Sequence, residues 1–193
     1  MVDSANYQTA SRDLKAPSLI ETARLRLRRP LATDAAAIFE RYSSDPEVTR
    51  FLSWSRHQSI ADTHAFLKFS DQEWERWPAA AYLIISRKDG RLLGSTGLSF
   101  EAKDQAATGY ALARDAWGHG YATEALRAMI DVARSTNVVR LYALCHPQHQ
   151  ASRHVLEKAG FSLDRTWTKQ TEFPNLALGV SQDVVCYALI FNG

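Results

Sequence analysis

Cysteine is scarce, with only Cys145 and Cys186 in 193 residues. That is too few for a disulfide framework, and the pair has neither zinc-site spacing nor a redox CxxC. Long apolar runs are also missing. The longest, Val184 to Phe191, is less than half a membrane span. The first residues, among them Asp3, Asn6, Gln8, Arg12 and Asp13, lack the apolar core of a signal peptide. There is no excess of one charge: 23 Lys+Arg stand against 21 Asp+Glu, a net charge of +2. No block of five basic residues occurs, which argues against a nucleic-acid footprint. Six Pro and nine Gly are too few for a low-complexity or collagen-like chain, and 46% apolar with 23% charged residues is the balance of a folded globular protein. The expectation is a soluble cytoplasmic chain with no membrane, direct nucleic-acid or metal partner.

Periodicity divides what is present. Residues 1–18 are polar and close on Pro17, so they read as a flexible tail, leaving residues 19–193 as a single domain. Arg24, Arg26, Arg28 and Arg29 alternate with Leu25 and Leu27, a strand with its basic side in solvent. Thr33 and Asp34 supply N-cap chemistry for a helix from Asp34 to Tyr42. Asp45 to Arg56 has no steady period and reads as a loop. Ser59 caps a helix from Ile60 to Trp77 that Pro78 closes, with Ala61, Ala65, Phe66, Phe69 and Trp74 as its apolar positions. Three strands follow, Ala81 to Arg87, Leu92 to Phe100 and Ala107 to Ala113, the first two joined through Lys88-Asp89-Gly90. A helix from Tyr121 to Ser135 buries Ala125, Met129, Ile130 and Ala133. After it come a strand from Val138 to His146, a helix from Gln150 to Ala159 ended by Gly160, and strands from Phe161 to Thr168 and Val184 to Phe191. A hairpin-rich front half joined to a βαβα rear half implies one α/β domain with a mixed sheet.

The chemically informative stretch is Arg114 to Ala125, which leaves a strand, passes Gly118 and Gly120, and opens directly into a helix. Glycines let the chain fold so that several N–H groups converge, and the helix start adds unpaired donors and the positive end of its dipole. Such a turn suits phosphate or pyrophosphate; equally, the glycines could serve the geometry of the turn alone. A GxxxxGK[ST] loop is absent. Thr123 stands where GxGxxG needs its third glycine, and the following strand has no acidic residue for a ribose.

Four ordered segments give this chain a family resemblance: Gly109-Tyr110-Ala111-Leu112, Trp117 to Ala125, Pro147 to Ser152, and Val155 to Phe161. Together they resemble the GCN5-related N-acetyltransferases (GNAT), in particular the branch that acetylates ribosomal-protein N-termini. The resemblance spans about residues 20 to 191. It implies a GNAT fold: a mixed, mostly antiparallel twisted sheet of about seven strands, helices on both faces, and a splayed cofactor cleft. It further implies that Trp117, Gly118, His119, Gly120, Tyr121, Ala122 and Thr123 cradle the pyrophosphate of acetyl-CoA. Trp117 occupies the usual Arg/Gln position. The strand ending at Leu112 and Ala113 would hold pantetheine, with backbone donors near Leu112 polarising the thioester carbonyl. His149 stands at a common Asn position, and Ser152 where a hydroxyl reaches the departing thiolate or caps the helix start. The Glu often found two residues before the Gly-Tyr pair is replaced by Ala107.

The implied reaction is direct attack of a neutral amine on the thioester. At pH 7.4 an α-amine is roughly 30% neutral and a lysine roughly 0.1%, from reference pKa values of about 7.8 and 10.4. The missing Glu therefore leans toward an α-amine, and Glu101 is the replacement base expected from sequence, with a solvated turn carboxylate as the alternative. The resemblance implies that Phe51 and Trp54 stand beside the acceptor groove; they could equally be helix-packing residues. The partner is an amine acceptor, a protein N-terminus of the ribosomal type; a small-molecule amine and a non-catalytic CoA-binding module are the alternatives. The resemblance implies a monomer or homodimer.

Overall fold

A computed structural model describes residues 15–191. The expected tail therefore lies largely outside the described residues, but its last part is held. Lys15 Nζ caps the Trp74 and Trp77 carbonyls, the Ala16 N–H donates to the Pro78 carbonyl, and Tyr82 Oη donates to the Pro17 carbonyl.

Eight strands form one sheet in the order β1-β2-β3-β4-β5-β6-β8-β7, one more than expected. They are β1 (Leu19–Glu21), β2 (Leu25–Arg28), β3 (Ala81–Ser86), β4 (Leu92–Ala102), β5 (Gln105–Leu112), β6 (Arg140–Cys145), β7 (Ser162–Glu172) and β8 (Ser181–Ile190). The extra strand, β1, has three residues, too few to show alternation, and exists through its pairing with β2. Neighbours are antiparallel except β5 and β6, which run parallel. Their connection needs a crossover, supplied by helix α4 (Tyr121–Ser135).

The other helices are α1 (Ala35–Ile38), α2 (Pro46–Thr49), α3 (Ile60–Arg76) and α5 (Gln150–Ala159). Three local expectations are corrected. The first helical stretch starts earlier, with a 3₁₀ turn from Ala32, and ends in a π-helical turn, Phe39–Ser43. Asp34 accepts from the Leu31 N–H and pairs with Arg28 at 2.7 Å. The Asp45–Arg56 segment contains α2, capped by Asp45 with Pro46 at its first position. In α3 the buried stripe is Thr63, Leu67, Ser70 and Trp74, whereas Ala61, Ala65 and Phe69 are exposed. The period was right and the phase wrong, because α3 turns two faces toward the protein: one into the core, the other over a cleft.

Capping at α3 works as the sequence implies. Asp62 accepts from the Ser59 and Gln58 N–H groups, and Pro78 forces the extended Trp77 that ends the helix. Helix α4 buries Ala122, Ala125, Leu126, Ala128, Met129, Ile130, Val132 and Ala133, a wider face than the expected stripe because sheet and α5 contact it from two sides. Two apolar clusters result, the larger containing α4 residues and the other joining α1 and α3 to Leu83, Leu92 and Ala111.

The feature that positions the site is a parting of strands. Parallel pairing of β5 with β6 covers only Gln105–Ala107 against Arg140–Tyr142. Beyond it, β5 continues to Leu112 beside β4 alone, so its other edge is open from Thr108 onward.

Candidate functional site

The open edge of β5 forms one wall of a cleft of about 540 Å³. Ala107 to Ala111 line it, facing Ala143 to Cys145 of β6 and His149 and Ser152 at the start of α5. The segment Phe51 to Trp54 closes one side, and α3 faces it from another. Phe51 and Trp54 both line the cleft. Phe51 stacks on His149 at 4.7 Å and on His146 at 5.1 Å between ring centroids. Asn175 holds this segment in place by accepting from the Arg56 N–H and donating to the Thr49 and Trp54 carbonyls, each at 2.8 Å.

Past Leu112 the chain enters the glycine turn. Gly118 and Gly120 have φ of 75° and 76°, the left-handed region that glycine enters without steric cost. A Cβ at Gly118 would meet nothing within 4 Å, so the turn has free space above it. His119 Nδ1 donates to the Trp117 carbonyl at 2.7 Å, and Trp117 Nε1 reaches back to the Leu112 carbonyl at 2.8 Å. Tyr121 stacks beneath His119 at 5.7 Å, and Ala122 and Thr123 continue into the first turn of α4.

A clamp from the β1–β2 turn braces this backbone. Glu124 accepts from Thr22 Oγ1 at 2.6 Å, from the Arg24 N–H at 2.8 Å and from Arg24 Nε at 2.7 Å. The same guanidinium donates to the His119 carbonyl at 2.8 Å and lies over the Tyr121 ring at 4.8 Å. Burial would raise the Glu124 pKa, but these bonds together hold it below the usual range. Nothing local marked Arg24, which reads in sequence as one of four solvated arginines.

Glu101, Leu112 and Ala113 stand outside the cleft lining. Glu101 is not brought to the cleft. It lies near the β4–β5 hairpin end, accepts from Tyr142 Oη and Gln105 Nε2, and is not among the lining residues. The hairpin carries it away from the splay, since Phe100 pairs with Ala106 at the closed end of the strands. Leu112 and Ala113 are buried, the Leu112 carbonyl is taken by Trp117, and the Ala113 N–H by the Leu93 carbonyl. The cleft wall on β5 is the stretch before them.

Burial pushes Tyr110 up to about 12 and raises the Cys145 thiol, each partly opposed by the Ser152 hydroxyl. Burial, helped by nearby His146, lowers His149. Sequence reasoning did not single out Tyr110 as a site residue, nor Glu73, Phe66 and Phe69 on α3, all of which line the cleft. No group of three or more His, Cys, Asp or Glu suited to a metal occurs among the described residues.

Residues 24–162 match the family model described as "Acetyltransferase (GNAT) domain", a span that includes the strand splay, the glycine turn and the Arg24–Glu124 pair of the clamp. The chain belongs to the GNAT acetyltransferase family. As a GNAT N-acetyltransferase it is 28% identical over 143 residues to an uncharacterized N-acetyltransferase, p20, of Bacillus licheniformis, covering 72% of this chain and 80% of that protein. The GNAT architecture is shared with RimL, a ribosomal L7/L12 alpha-N-protein acetyltransferase solved in complex with coenzyme A. That match has a TM-score of 0.79 and 23% identity and covers 90% and 98% of the two chains. The microcin C7 self-immunity acetyltransferase MccE, solved with acetyl-CoA and AMP, matches at TM-score 0.79 and 20% identity over 91% and 98%.

Proposed function

We propose that the protein transfers an acetyl group from acetyl-CoA to a primary amine, the acceptor being a protein N-terminal α-amine of the ribosomal type. The observation that carries this reading is the continuity of one strand. The edge of β5 left open beyond Ala107 leads directly into a left-handed glycine turn and a helix N-terminus. The likeness to RimL supports the acceptor assignment.

Acetyl-CoA supplies the activated thioester. The Gly118–Ala122 backbone and the N-terminus of α4 fit its pyrophosphate, because the left-handed glycines turn N–H groups outward and the free space above Gly118 lets an anion approach them closely. The main chain of Thr108 to Ala111 fits the pantetheine amides as an added edge partner. Tyr110, with its pKa raised, stays protonated and donates toward the departing sulfur together with Ser152. Trp117 binds through its backbone while its indole braces Leu112, and neutral His149 and Phe51 form one flank. The neutral amine attacks the carbonyl carbon, the C–S bond breaks, the thiolate takes up a proton from these donors, and the amine loses a proton to water. An α-amine, roughly 30% neutral at pH 7.4, needs no strong carboxylate base, in keeping with Ala107. The protein acts in the cytoplasm as a monomer or homodimer.

Thermal shifts with acetyl-CoA, CoA, ATP and NAD test the first half. At about 100-fold over Kd, linkage gives about 2.7 kcal/mol, or about 5–11 °C for a domain of this size. A shift with the CoA ligands alone is expected, and no shift with CoA at saturation overturns the reading. Mass spectrometry of free-N-terminus peptides and small amines incubated with acetyl-CoA then tests the acceptor.

A further inference from the structure

One wall of the cleft is formed where α3 faces β4. Helix α3 turns Phe66, Phe69, Ser70 and Glu73 toward Ser95 to Ser99, with Trp54 beside them. Their spacing of i, i+3, i+4 and i+7 is a single helix face. Two of the four are polar. Glu73 is the one charged side chain in the cleft lining. It is partly buried, and its carboxylate has no hydrogen bond or ion pair among the described residues. Ser70, in the same wall, is 2% exposed and its Oγ has no partner. No Lys or Arg lines the cleft among the described residues, and Tyr110, Cys145 and His149 are shifted toward their neutral forms.

Glu73 is a carboxylate in the cleft wall with no Lys or Arg beside it in the lining, open to a cation from outside. Glu73 also stands in the last turn of α3, where the helix dipole disfavours negative charge. A bound ammonium would neutralise that charge, while Phe66, Phe69 and Trp54 offer aromatic faces to the body that carries it. We infer that Glu73 is the ammonium-recognising residue of the acceptor subsite and that the acceptor is a primary amine carried on an apolar or aromatic scaffold. This rests on the amine-acetylating reading and gives it a recognition residue that the sequence did not mark.

The test uses the full chain saturated with CoA. Phenethylamine is titrated calorimetrically, with uncharged phenethyl alcohol in parallel, against the native protein and Glu73→Gln. A short alanine–phenylalanine peptide amide with a free N-terminus, and its N-acetylated twin, form the second arm. The expected result is about a tenfold rise in Kd for at least one free amine in E73Q, about 1.4 kcal/mol, with the alcohol and the CoA thermal shift unchanged. A loss confined to the peptide identifies a protein N-terminus as the source of the amine; a loss confined to phenethylamine identifies a small molecule. Free amines that bind the native protein no better than their uncharged twins overturn the inference, as does E73Q binding them with native affinity. Glu73→Asp separates charge from fit: it retains part of the affinity for the amine if charge is the reason. Failure of CoA to bind the native protein would instead overturn the function proposed above.

Discussion

Replacing Arg24 by alanine tests whether the glycine turn is a pyrophosphate site held in shape from outside. The substitution removes two charge-assisted bonds, one to Glu124 Oε2 at 2.7 Å and one to the His119 carbonyl at 2.8 Å. The Arg24 N–H and Thr22 remain on Glu124. Buried bonds of this kind contribute about 1.5–3 kcal/mol each. Here Arg24 is 50% and Glu124 16% exposed, which reduces each to about 1 kcal/mol. A loss of about 2 kcal/mol from the binding-competent turn lowers its population, so the apparent Kd for CoA rises by up to about 30-fold. Calorimetric titration with CoA and with pantetheine, which lacks the pyrophosphate, separates the turn from the rest of the cleft. CoA should weaken by about 10- to 30-fold while pantetheine stays within about twofold. Unchanged CoA affinity, or an equal loss for pantetheine, would refute the clamp as the support of a phosphate site.

Gly120→Ala places a Cβ at φ 76° and 3.5 Å from Arg24 Nη2. Left-handed strain of about 1–2 kcal/mol should lower Tm by about 2–8 °C and weaken CoA by up to about 5- to 30-fold, read by scanning calorimetry and titration. Glu101→Gln should leave acetyl transfer to the best amine within about twofold, because Glu101 is engaged with Tyr142 and Gln105 at the closed end of the strands; a drop of about 100-fold or more, the scale of a lost general base, would restore it as the base. Asp34→Asn should lose about 2 kcal/mol of stability at pH 7. Burial would raise the Asp34 pKa, but the Arg28 guanidinium and the Leu31 N–H hold it below the usual carboxylate range. The unfolded chain therefore binds the proton first. The stabilisation is full above the unfolded pKa of about 3.9 and is lost as pH falls through the folded value, so the gap between native and variant in urea unfolding closes in acid.

Residues 114–125 were legible as a strand–turn–helix segment of a shape that suits an anion because everything that shape needs is local: glycines for the positive φ, a helix start for the donors, and a strand to aim them. The same locality made the α3 cap, the Lys88-Asp89-Gly90 hairpin and the Gly160 helix end readable. The three-residue strand β1 was not, since its existence depends on pairing with Arg26 to Arg28 and not on any pattern of its own. Helix α3 shows the limit most clearly. Its period was plain, but which of its faces meets the core depends on where β3 and β4 pass, and the phase came out shifted.

Site membership divides along the same line. Phe51, Trp54, His149 and Ser152 reached the cleft as expected, while Glu101 was carried away by the β4–β5 register and Glu73 was brought in by α3. A carboxylate looks the same in sequence whether it ends at a hairpin tip, braces a turn as Glu124 does, or stands unpaired in a cleft. By itself the amino-acid sequence determined the family, the order of nearly all the elements and the phosphate-suited turn, because short-range backbone preference and apolar period specify these. Only the tertiary structure decided where β5 parts from β6, which arginine braces the turn and which carboxylate lines the cleft, because those depend on contacts between segments up to about a hundred residues apart.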